Sequence, residues 1–225
     1  MESGMRYLRA LTLIVVILAG ATVSRSGVME TKHNFTSATY SPNAFFYGTR
    51  QVCVFCHTTH NGDQSIGALW NHETNPPLYQ TYDSPTIDMT IDQPNNGSLV
   101  CLSCHDGTIA INSLNNLPGP AGAGSYGTPG GAGLDGSGKL LSTSDAFVDI
   151  DLSDDHPVGV TYDASKDPTG FVAKTGNSQS YPDKLLDDGL YVECISCHNP
   201  HDDTYSNFLI ESNDNSALCT RCHIK

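Results

Sequence analysis

Apolar residues along this chain rarely recur at a spacing that would bury one face of a long helix. The exception is the run from Ala10 to Val23, preceded by Arg6 and Arg9 and followed by Ser24-Arg25-Ser26. It is too short to span a bilayer comfortably, and it has the charged start and small-residue end of a secretory signal. A signal peptide over residues 1–21, cut after Ala19-Gly20-Ala21, is predicted, with an uncleaved N-terminal anchor as the alternative.

Elsewhere the pattern is short and of period two. Ile87-Asp88-Met89-Thr90-Ile91-Asp92 alternates and predicts a half-buried strand. Val148, Ile150 and Leu152 alternate with Asp149 and Asp151, and Val158, Val160 and Tyr162 alternate after His156-Pro157, which predicts the two strands of a small sheet or hairpin. A short helix is predicted near Thr108 to Leu114, and a helical turn at the last cysteine pair with Asn215 or Ser216 as its cap. Residues 119–138 contain nine glycines, a composition that cannot bury enough apolar surface for a regular element and predicts an irregular surface loop or flexible arm. The polypeptide alone has little with which to build a core.

The cysteines change this picture. All eight fall in four copies of one pattern, C-x-x-C-H: Cys53-Val54-Phe55-Cys56-His57, Cys101-Leu102-Ser103-Cys104-His105, Cys194-Ile195-Ser196-Cys197-His198 and Cys219-Thr220-Arg221-Cys222-His223. Two thiols so spaced add across the vinyl groups of a haem, and the adjoining imidazole lies beneath the iron as its proximal ligand. Structural zinc and thiol redox chemistry are the competing uses of C-x-x-C, and residues 194–222 alone would pass as a loose zinc ribbon. The trailing histidine decides against both: with nine His in 225 residues, four out of four by chance is roughly three in a million. A thioredoxin-like dithiol would also want one such motif in a βαβ setting. Four covalently bound haem c groups are expected, and on the 204 residues left after signal removal that is 51 residues per haem. The porphyrins would then be the core.

Five further histidines remain, His33, His60, His72, His156 and His201, enough for every iron to be bis-histidine with one spare. Sulfur ligation is the weaker option, since only Met29 and Met89 survive signal removal. His60 and His201 each lie three residues beyond a proximal histidine, too close to reach the opposite face of the same porphyrin, so each is expected on a neighbouring haem. His156 sits in Asp154-Asp155-His156-Pro157, where either aspartate could orient the ring. His33 and His72 compete for the last place, with His33 favoured. The metal ligands expected are therefore His57, His105, His198, His223, His33, His60, His156 and His201. Six-coordinate haem has no open position for a substrate, which points to electron transfer rather than catalysis. Trp70 is expected to pack on a haem face or edge.

The copies are themselves paired. His57-Thr58-Thr59-His60 and His198-Asn199-Pro200-His201 extend the first and third motifs to C-x-x-C-H-x-x-H, and a plain C-x-x-C-H follows each. This reads as a duplicated two-haem unit, residues 53–105 and 194–223, separated by an insertion over residues 106–193, all within a domain of residues 22–225. Formal charge is −13, or −14 without the signal, which argues against nucleic acid and anionic membranes as partners and helps hold haem ferric. The sequons Asn34-Phe35-Thr36 and Asn96-Gly97-Ser98 point weakly to an exposed, exported protein.

The doubled motif, together with Ala68-Leu69-Trp70-Asn71, His156-Pro157-Val158 and Cys197-His198-Asn199-Pro200-His201, resembles the doubled C-x-x-C-H multihaem cytochromes. Among these the chain is most similar to the tetrahaem extracellular cytochromes of the OmcE type that polymerise into filaments. The resemblance implies mostly irregular coil with short helices and a few short strands wrapped around a row of four haems. It also implies a secreted, head-to-tail homopolymer without a membrane span, with one distal histidine per subunit donated by its neighbour and redox partners at the cell surface. His33 is the expected donor and the haem on His223 its expected acceptor. A monomeric soluble carrier of periplasmic type and a multihaem oxidoreductase acting on a small oxyanion are the two alternatives.

Overall fold

The structure is a computed structural model that describes residues 27–36, 51–67, 69–117 and 133–225. The segment expected as a signal peptide, most of the glycine-rich stretch and Ala68 lie outside the described residues. What is described is mostly coil, with one α-helix, several single turns of 3-10 helix and one small sheet. Among the described residues no helix is long and apolar enough to cross a membrane.

The helix, α1, runs Asn96–His105 and carries the second C-x-x-C-H on its last turn. Asn95 caps it, its side-chain oxygen accepting from the Gly97 N–H at 3.0 Å. It ends where Asp106 turns the chain back: the carboxylate accepts from the Thr108 N–H and hydroxyl, both at 2.8 Å, and from the Tyr79 hydroxyl at 2.8 Å. Gly107 follows at φ +70°, with the Phe147 ring where a Cβ would stand. The helix expected over residues 108–114 is therefore absent, because this turn redirects the chain before a further helical turn can form.

The sheet has three two-residue strands, β1 Thr90–Ile91, β2 Val160–Thr161 and β3 Tyr191–Val192, antiparallel in the order β1-β2-β3. Ile91 faces Val160, and Val160 faces Val192. The alternations around residues 90 and 160 thus form strands, but the segment from Val148 to Leu152 does not pair with β2 as a hairpin. Its one bridge is to Gln80, whose N–H donates to the Ile150 carbonyl at 2.9 Å. Gly159, entering β2 at φ +71°, lies so close to β1 that a Cβ would run into the Asp92 carbonyl. Gly159→Ala is expected to lower stability by about 1–3 kcal/mol without touching haem ligation, which a thermal melt of the haem-loaded protein reads directly.

Apolar packing is divided among three small clusters, each built around one haem motif. Phe55, Ile111, Leu134 and Leu140 gather at the first motif. Tyr79, Leu102 and Leu152 gather on α1. Met89, Val160, Tyr162, Ala164 and Leu186 join the sheet to Cys222 of the last motif, so Met89 is a packing residue rather than a sulfur ligand. The helical turn at that motif, Cys219–Arg221, follows Leu218 with no side-chain cap, and Asn215 and Ser216 lie in a separate turn before it at φ +54° and +63°. The sequon at Asn34 is also closed, since that side chain is buried, with its amide donating to the Met29 carbonyl and its oxygen accepting from Thr36.

Candidate haem centres

Three of the four C-x-x-C-H motifs share one backbone construction. In each, the histidine N–H donates to the carbonyl of the first cysteine, at 2.8 Å for His57, 3.0 Å for His198 and 2.9 Å for His223. This tight turn puts both thiols and the imidazole on one side of the chain. An apolar residue then bridges to the histidine: Trp70 to His57, Leu209 to His198 and Phe171 to His223. The residue after each bridge donates to the second cysteine's carbonyl, from Asn71, Ile210 and Val172 at 2.9, 3.0 and 2.8 Å. Sequences with no common pattern beyond the motif thus hold the imidazole in the same way. The second motif reaches its arrangement through α1, with the Val148 N–H donating to the His105 carbonyl at 2.8 Å.

All eight thiols are free of disulfides. Burial pushes Cys56 and Cys104 up to about 12 and Cys222 up to about 11, whereas the neighbouring Cys101 holds Cys194 down. Among the described residues no group of three or more His, Cys, Asp or Glu is placed to hold a metal ion by itself.

The imidazoles fit an iron between them. A ligating nitrogen sits about 2 Å from its metal and the ring centroid about 1 Å further back, so two imidazoles facing each other across one iron have centroids about 6 Å apart. Three pairs stand at that spacing: His57 and His201 at 6.0 Å with rings 8° from parallel, His33 and His105 at 6.1 Å, and His156 and His223 at 6.3 Å. Each contains one motif histidine and one of the others. Ring orientation is fixed from behind, where His105 Nδ1 lies 2.6 Å from the Ala146 carbonyl and His198 Nδ1 lies 2.8 Å from the Asn207 carbonyl. The proton therefore sits on Nδ1 and leaves Nε2 bare for a metal. Burial, with the neighbouring His105, also holds His33 down at about 4, in the neutral form that can ligate, and its ring stacks on Phe208 at 4.5 Å.

Trp70 adds a further mark. Its ring stands edge-on to His57 at 6.2 Å, and its indole N–H is buried without a hydrogen-bond partner. A haem propionate would supply an acceptor of the kind this donor lacks.

His33 faces His105 of its own chain and His156 faces His223, so within one chain His33 and His223 do not stand together. His156 is oriented by the Pro157 carbonyl, 3.1 Å from its Nδ1, rather than by Asp154 or Asp155. His201 stands against His57, as the three-residue offset from His198 requires. His60 and His198 are both exposed, and neither has an imidazole at the iron-bridging distance among the described residues. His72 is a structural residue, fully buried with Nδ1 2.8 Å from the Glu73 carbonyl and Nε2 3.0 Å from the Ala110 carbonyl. His72→Phe is expected to leave every iron low-spin while costing about 1–3 kcal/mol for the carbonyl that its single N–H satisfies, measured by visible spectrum and thermal melt. Nothing in the sequence marks the carbonyls of Ala146, Asn207 and Pro157, since a backbone acceptor has no side-chain signature.

Residues 190–225, spanning the third and fourth motifs, match the protein family described as a doubled CXXCH motif. No curated protein matches the chain. The match and the motifs indicate covalently bound c-type haem and support a multihaem c-type cytochrome, the class of protein that moves electrons.

Proposed function

We propose that the chain is a tetrahaem electron conductor, with one haem on each C-x-x-C-H, exported and assembled head-to-tail into a filament at or beyond the cell surface. The observation that carries the tetrahaem part is the set of three imidazole pairs at iron-bridging distance. Cys53 and Cys56, Cys101 and Cys104, Cys194 and Cys197, and Cys219 and Cys222 would hold the four groups. His57, His105, His198 and His223 would be the proximal ligands, with His201, His33 and His156 opposite the first, second and fourth.

The fourth pair follows from the duplication. His201, three residues after the proximal His198, serves the first site, and the same relation reversed gives His60, three residues after His57, to the third. Every iron is then six-coordinate. The groups cycle between ferric and ferrous without binding substrate, and the protein's part is to hold the imidazoles and exclude water. A high-spin signal in the resting protein would instead favour the oxidoreductase alternative.

The filament reading rests on the resemblance and on how the His33 segment docks. Residues 27–36 pack on the C-terminal half, with Gly27 so close to the His201 carbonyl that a Cβ would collide and with His33 stacked on Phe208. Residues 37–50 connect this segment to the first motif, a length that reaches about 45 Å when extended. A connection of that length is long enough to deliver the segment to the same docking site on an adjacent copy, and exchanging it would give a heterologous contact that need not close. His33 would then complete the second haem of the next subunit. The placement of His33 against His105 of its own chain favours a second reading, a monomeric carrier. Cryo-electron microscopy of sheared cell-surface material, with His33→Ala alongside, separates the two. The filament reading expects wild-type filaments that are lost in the variant together with one low-spin haem, and monomers in a soluble fraction from both would overturn it.

A further inference from the structure

The two halves of the duplication are joined by a buried polar clasp. Ser98, on α1 one turn before Cys101, donates its hydroxyl to a Glu193 carboxylate oxygen and accepts from the Cys194 N–H at 2.9 Å. Glu193 is the residue before the third motif, and its second oxygen accepts from the Asn95 N–H at 3.4 Å. Behind it, the Ser196 hydroxyl accepts from the Glu193 N–H at 3.0 Å. Ser98 and Glu193 are 0% and 1% exposed, so these bonds form without competition from water. Gly97 leaves room at this contact, since a Cβ there would stand 2.6 Å from an Asp187 carboxylate oxygen and 3.0 Å from two Ile195 side-chain carbons.

This clasp has a chemical consequence. Cys101 and Cys194, from motifs 93 positions apart in the chain, are brought close, the Cys194 N–H bonding to the residue one helical turn before Cys101. Once both are thioethers neither carries an S–H, so it is the Ser98–Glu193–Cys194 clasp that keeps the second and third attachment points adjacent. A carboxylate this deeply buried is a costly way to pin a loop if stability were its only use. Neither Ser98 nor Glu193 belongs to a C-x-x-C-H motif or offers an iron ligand.

We propose that Ser98 and Glu193 are positioning residues that set the contact between the second and third haems, and so control electron passage across the junction of the two halves. The proposal rests on the tetrahaem reading. It assigns the pair a role in haem-to-haem coupling, distinct from holding either haem in place.

The test uses full-length haem-loaded protein, with haem content first fixed by intact mass. Ser98→Ala removes the clasp's hydroxyl, Gly97→Ala crowds the Asp187 and Ile195 side chains at the contact with every clasp partner present, and Glu193→Gln keeps the clasp by letting the Ser98 hydroxyl accept instead of donate. The readout is the exciton couplet of neighbouring haems in Soret-region circular dichroism, alongside the potentiometric titration. Ser98→Ala and Gly97→Ala are expected to keep all haems yet lose couplet amplitude and shift the titration, while Glu193→Gln retains the wild-type couplet. An unchanged couplet and titration in both Ala variants overturns the proposal, even where the melting temperature falls. Should Ser98→Ala lose a haem, Gly97→Ala decides alone by the same readout. A wild-type mass with fewer than four haems overturns the tetrahaem reading, and this proposal with it.

Discussion

Haem-free chain, produced without the attachment machinery, is expected to show no cooperative thermal transition. The transition should be abolished rather than shifted. The physical reason is the division of apolar packing into three small clusters, each resting on a haem motif: Phe55 and Cys56 belong to one, Leu102 to another, and Cys222 flanks the third. No cluster can be completed without its motif being ordered, and the sheet that connects them contributes only two residues per strand. Ordering a residue costs about 1–2 kcal/mol in backbone entropy, a cost that so few buried side chains do not offset over a chain of this length. Near-ultraviolet circular dichroism and calorimetry check this. A sharp melting transition in the haem-free chain would show that the polypeptide has a core of its own.

His201→Ala is expected to convert one haem, that on His57, from six-coordinate low-spin to five-coordinate high-spin while the others stay low-spin. The two rings stand 6.0 Å apart and nearly parallel, the spacing of two imidazoles that share one iron. His201→Met at the same place would raise the potential of that one haem, because thioether favours ferrous iron relative to imidazole. Electron paramagnetic resonance counts the high-spin centres, and a redox titration reports the potential. Wild-type spectra from His201→Ala would mean that His57 takes its distal ligand from elsewhere. The contrast is His72, whose two nitrogens already face carbonyls and whose loss should be felt in stability alone.

The haem motifs were legible because their chemistry requires five residues in a fixed local order. The trailing histidines marked the metal, and the C-x-x-C-H-x-x-H extensions marked His60 and His201 as residues that must look outward to another haem. Which imidazole faces which iron was not legible. His156 and His223 are brought together by the strand at Val160 and the bridge from Phe171 to His223, both long-range arrangements without a local signature. The helix was misplaced for a related reason. Asn96–His105 has no amphipathic period, its buried positions being Gly97, Ser98, Leu102 and Ser103, whereas the more helical-looking stretch after it is folded back by Asp106 and Gly107. The alternating segment from Val148 to Leu152 was read as a strand on sound local grounds, yet the sheet position beside β2 is taken by Tyr191–Val192. An insertion that looked like a spacer supplies Ala146 behind His105, His156 opposite His223 and Phe171 beside it. These are backbone and packing roles, and composition does not announce them.

If all eight cysteines are spent on four haems held between imidazoles, the intact mass of protein made in a host that attaches c-type haem, taken before and after thiol alkylation, shows it. The expected mass is that of the processed chain plus four haems, with no thiol available to alkylate. Free thiols, a mass short of four haems, or zinc in their place would contradict it.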